Sequence, residues 1–170
     1  MEAFQQYRKD AAHALMVADH MLTVTYPMVQ DTKILFNVLT NIYKSMIYAV
    51  KSMLSYELLF KRIPSYPDNI QSYLEVFSAR CERRYSLDPT YLHLLKKIHE
   101  MIEMHKTSPI EFSRKDKFVI CSDNYRLSTI TAAQLKEYLQ KAKLFIDAIH
   151  GMTSKHERIF RGSTDGIQAR

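Results

Sequence analysis

DTKILFNVLTNIYKSMIYAVKSMLSYELLFK, residues 31–61, contains no glycine and no proline. Read as one helix at 1.5 Å per residue it is about 45 Å long. Asp31 suits its N-cap, because the carboxylate can accept from the free amides of a first turn. Leu35, Val38, Leu39, Ile42, Met46, Ile47, Val50, Met53, Leu54, Leu58 and Leu59 fall on more than one stripe. A helix this apolar around its girth must be covered on most sides. The stretch is therefore the expected central element, and a candidate half of a dimer interface. Asn37, Asn41, Lys44 and Ser45 interrupt its most apolar part, so it reads as a buried helix and not as a membrane span.

Working outward, Phe4, Tyr7, Ala11, Leu15, Ala18 and Leu22 recur at helical spacing and predict a first helix over 3–25. Tyr26-Pro27 is expected to break it, since proline disfavours a helical residue before it. Downstream, Pro64-Ser65-Tyr66-Pro67 ends the long helix. Asp68 is the expected cap of a third helix over 69–84, which closes on Arg80, Arg83 and Arg84. Asp88-Pro89 opens a fourth helix to about Lys106, with proline where no amide partner is lost.

Beyond Pro109 the texture changes. Lys117–Cys121 and Tyr125–Ile130 flank Ser122-Asp123-Asn124 and predict two strands of a hairpin spanning about 112–130. Thr131-Ala132-Ala133-Gln134 is a capping-box sequence that begins a fifth helix to about Met152. The expected fold is mainly α: an antiparallel bundle of about five helices, with a small β-hairpin between the fourth and fifth. Residues 1–153 read as a single helical domain, and 154–170, lacking a periodic face, as a flexible C-terminal tail.

Composition sets limits on chemistry. With 46 % hydrophobic and 25 % charged residues, the chain is that of an ordinary globular protein. All its glycines (Gly151, Gly162, Gly166) lie near the C-terminal end, so no glycine-rich phosphate loop exists. Cys81 and Cys121 are too few for a disulfide scaffold and point to a reducing, cytoplasmic setting. The charged helical start (Glu2, Arg8, Lys9, Asp10) predicts no secretory leader. The net charge of +6 is spread over both halves, which leaves room for an anionic partner such as RNA without requiring one.

Histidine comes first among candidate ligands. His93, His99 and His105 recur every six residues, about 240° apart around a helix, and so face three directions. His13 and His20 share a face, but at about 10 Å they cannot clasp one ion. No metal site and no cofactor is expected. Serine or cysteine catalysis lacks any local signature.

Two clusters deserve weighing. Arg8-Lys9-Asp10-Ala11-Ala12-His13, in a long-helix bundle with an apolar second helix, resembles the R-x(4–6)-H motif of HEPN-family proteins. In catalytic members that resemblance implies metal-free RNA cleavage in a cleft between two protomers. Arg8 would stabilise the phosphate and His13 would polarise the 2′-hydroxyl or the leaving group. The chain departs from the family pattern in having Lys9 where a small polar residue is usual, and in carrying the pair in its first helix. The second cluster is Arg114, Lys115, Lys117, Tyr125 and Arg126, beside Phe118. Basic groups interleaved with aromatics can neutralise phosphates and stack on bases. Against this, Asp116 and Asp123 balance two charges, and the aromatics can equally cover the helices.

The sequence thus predicts a non-enzymatic helical interaction module, a homodimer or the partner of another helical protein, binding a protein or an RNA and no membrane. The alternative is a HEPN-like, metal-independent ribonuclease using Arg8 and His13.

Overall fold

Residues 1–155 are described from a computed structural model. Along the chain run α1 (Ala3–His20), a π-helical stretch (Met21–Thr25), α2 (Tyr26–Val29), α3 (Lys33–Leu59), α4 (Ile70–Val76), a second π-helical stretch (Phe77–Glu82), α5 (Pro89–Thr107), β1 (Ile110–Arg114), β2 (Lys117–Cys121), β3 (Leu127–Thr131) and α6 (Ala132–Thr153). The chain is mainly helical with a small antiparallel sheet. Most of the expected tail lies outside the described residues. Among those described, no helix is long and apolar enough to cross a membrane.

The long helix α3 is the hub. It touches α1, α4, α5, α6, both π-helical stretches, β2 and β3. Leu35, Val38, Leu39, Ile42, Met46, Val50, Met53 and Leu54 have no exposure. Fully burying each such side chain contributes about 1.5–3 kcal/mol. Its buried hydroxyls are satisfied: Ser45 donates to the Ile42 carbonyl at 2.7 Å, and Ser52 to the Phe4 carbonyl at 2.8 Å. Its exposed residues are Lys33, Asn37 and Lys44, and Leu58 and Leu59 at the C-terminal end. One chain thus covers most of α3, while Leu58 and Leu59 stay 40 % and 48 % exposed.

The caps show where local signals hold and where they slip. The Asp31 carboxylate accepts the Lys33 amide at 2.9 Å, one residue before the Thr32 cap position. Asp88 accepts the Thr90 amide at 2.9 Å, with Pro89 in the first turn. Asp68 is not the cap of α4. Asn69 is, its side chain accepting the Ser72 amide at 2.9 Å, while Asp68 faces Lys51 at 4.0 Å. The capping box before α6 is half formed: Thr131 accepts the Gln134 amide at 3.2 Å, but the Gln134 side chain donates to the Tyr138 hydroxyl at 2.7 Å.

Tyr26-Pro27 does not break the helix. Tyr26 stays right-handed helical, and its amide bonds five residues back to Met21 in a widened π turn. That turn gives room for the proline ring and its missing donor. The chain turns only at Gln30, in left-handed backbone at φ 55°.

The expected two-stranded hairpin is in fact a sheet of three, in the order β1-β2-β3, because Ile110–Arg114 also pairs. Phe112 lies opposite Val119 and Arg114 opposite Lys117. Val119 lies opposite Thr129, and Cys121 opposite Leu127. Alternation sends Phe118, Ile120 and Ile130 inward, where all three are buried. Phe118 packs beside Phe36 and His105 and does not face solvent. A hydroxyl–hydroxyl hydrogen bond between Thr32 and Ser113 pins the sheet to the start of α3. In the β2–β3 loop it is Tyr125, not Asp123 or Asn124, that adopts left-handed backbone at φ 56°.

Candidate functional site

The structure separates Arg8 from His13. The Arg8 guanidinium lies 6.0 Å from the Phe4 ring centroid and donates to the Thr153 hydroxyl at 3.5 Å, which draws it toward the end of α6. His13 is exposed. Five residues on a helix turn about 140° net, so within one chain the two side chains leave α1 in different directions.

The helical histidines go three ways. His99 hydrogen-bonds the Tyr43 hydroxyl at 2.9 Å. Burial, then the nearby Glu103 charge, pushes the Tyr43 phenol up to about 12. His105 stacks on Phe36 with centroids 3.9 Å apart and meets Glu111 of β1 at 2.6 Å. His93 is exposed on α5. Among the described residues no group of three His, Cys, Asp or Glu side chains could hold a metal ion.

One buried charge cluster escaped sequence reasoning. Glu57 of α3 has no exposure, yet it is fully partnered. Arg84 reaches one carboxylate oxygen at 2.5 Å; the Tyr85 hydroxyl at 2.5 Å and Arg62 at 3.2 Å reach the other. Cys81 lies buried close by, and burial followed by the Glu57 charge pushes its thiol up to about 12. With both Glu57 oxygens engaged and that side chain without solvent exposure, this cluster fastens one end of α3.

The sheet is different. On its inner face Phe118, Ile120 and Ile130 are buried, but on its outer face, around a buried Val119, Ile110 is 55 %, Phe112 43 % and Leu127 66 % exposed. Phe112, Arg114, Lys115, Lys117, Val119, Leu127 and Thr129 line a shallow cavity of about 390 Å³ there. Arg114 and Lys117 are cross-strand neighbours, and Lys115 takes the tight turn between them at φ 55°.

Of the expected basic-aromatic cluster, Arg114, Lys115 and Lys117 therefore meet. Tyr125 and Arg126 do not join them: they sit beyond the other end of β2, about 13 Å along the strand. Tyr125 is 87 % exposed in its loop. Arg126 lines a second cavity of about 390 Å³ with Lys97, Met104 and Leu127. The apolar contributors Phe112 and Leu127 were missed in the sequence. The alternation Ile110-Glu111-Phe112-Ser113-Arg114 is the signal that could have found one of them.

No protein-family model matches this chain, and comparison with curated proteins finds no significant relative.

Proposed function

We propose that the chain is a non-enzymatic, cytoplasmic helical module that works by binding, and that a protein or RNA partner docks on the outer face of the sheet. The observation that carries this is the exposure of Ile110, Phe112 and Leu127 on one side of three short strands, next to Arg114, Lys115 and Lys117. Adjacent apolar side chains left in water gain free energy when a partner covers them, and the cations beside them select its charge. In this reading the helices form an antiparallel bundle, related in architecture to HEPN-family proteins. They serve as the scaffold that holds the sheet through Phe118, Ile120 and Ile130. Two free thiols, Cys81 and Cys121, suit the reducing compartment. Pairing of two copies belongs to the same proposal. Met16, Val24 and Met28, exposed along and after α1, offer an apolar surface for it.

The test is a photo-crosslinking residue placed in living cells at Leu127 on the outer face, and separately at Glu137 on the exposed side of α6. A discrete adduct from position 127 with none from position 137 is the expected result. Equal adducts from both, or none from either, would remove the docking face.

A further inference from the structure

The geometry points to single-stranded nucleic acid as the occupant of the outer sheet face, its bases against Phe112 and Leu127 and its phosphates on the flanking cations. This inference rests on the docking face proposed above and adds the chemistry of what binds there.

The outer-face cavity shares Leu127 and Thr129 of the edge strand β3 with the second cavity, which α5 and α6 also line. Arg114, Lys115 and Lys117 line the first, and Arg126 and Lys97 the second. Beside the first three cations lie Phe112 and Val119, opposite each other in the register, and then Leu127. Among the described residues none of Arg114, Lys115, Lys117 and Arg126 is in an ion pair. Glu100 lines the second cavity, and Asp116 and Asp123 stand in the β1–β2 turn and the β2–β3 loop, three acids against the five cations Arg114, Lys115, Lys117, Arg126 and Lys97. The balance stays positive.

Cations beside an apolar and aromatic face match a polymer that alternates anionic backbone with flat apolar faces. A single strand presents both. A duplex hides its base faces in the stack and would engage the cations alone, leaving Phe112 and Leu127 uncovered. An acidic peptide supplies the charge without the flat faces.

The probe is a fluorescein-labelled oligouridine of about twelve nucleotides, titrated with the full chain by anisotropy from about 50 to about 200 mM salt. The duplex of the same length, polyglutamate and anionic phospholipid vesicles are run beside it. Binding of the oligonucleotide that weakens with salt is expected. Phe112→Ala should weaken it about tenfold with the salt slope unchanged, whereas Lys117→Ala should lower the slope by about 0.7. Leu127→Glu, at a more exposed position, repeats the loss where Phe112→Ala disturbs folding, and the unfolding midpoint of each variant shows whether it does. No binding at low salt, full affinity in both Phe112→Ala and Leu127→Glu, or equal affinity for duplex, polyglutamate or vesicles would overturn the inference. Adducts at position 127 without oligonucleotide binding would overturn it alone and leave the docking face standing.

Discussion

Arg84 lies 2.5 Å from Glu57, a carboxylate of α3 with no solvent exposure and 27 residues away in sequence. Burying a charge is tolerable only when its partners travel with it. Arg84→Met leaves Arg62 and Tyr85 to serve Glu57 and should cost about 2–3 kcal/mol. Urea denaturation reads this directly. An unchanged midpoint would mean that the contact contributes nothing.

Stability should fall at high pH. Burial pushes the Cys81 thiol from 9.0, and the Tyr85 and Tyr43 phenols from 10.0, up to about 12 in each case. The unfolded chain releases these protons first, so between about pH 9 and 12 it binds fewer than the folded chain. The contribution is complete below about pH 9 and is lost as pH rises toward 12. Unfolding free energy measured across this window should decline, and in Cys81→Ala the decline should start nearer pH 10. A flat profile from 9 to 11 would contradict the burial of these groups.

The same burial makes Cys81 inert to alkylation in the folded protein, while half-exposed Cys121 reacts. Mass spectrometry after iodoacetamide treatment should find one label without denaturant and two with it. Labelling of Cys81 in the folded chain would place it wrongly in the core.

Asn69 and Asp68 are neighbours with different expected costs. Asn69→Ala removes the acceptor of the Ser72 amide and should cost about 1 kcal/mol. Asp68→Ala loses an exposed contact to Lys51 at 4.0 Å and should stay near neutral. Thermal unfolding of the two variants decides between them, and the reverse order would return the cap to Asp68.

Arg8 and His13 diverge on α1, so wild type and His13→Ala incubated with total RNA in chelator should leave it equally intact. Faster loss with the wild type alone would reinstate the pair as a catalytic centre.

How much of this was legible depended on whether the signal was local. The absence of breakers and the apolar girth marked α3, and Asp88-Pro89 marked the start of α5, because both act within one turn of chain. The strand β1 was hard to see for a physical reason. Its apolar residues Ile110 and Phe112 point outward, while Glu111 and Ser113 turn inward to His105 and Thr32. That inverts the pattern by which a half-buried strand is usually recognised. The π turn that absorbs Pro27 is invisible to a rule concerned with one residue and its neighbour. Glu57 finds its partners at separations of 5, 27 and 28, which no periodicity links. Sequence closeness also misled in the candidate site: Lys117 and Arg126 are near in the chain, yet β2 holds them apart at its opposite ends.

Because most of α3 finds its cover within its own chain, the core closes without waiting for a partner on the sheet. The outer sheet face is then released from any duty to hold the molecule together. Its residues can change with the partner they meet, and a fold already complete will carry each new version unchanged.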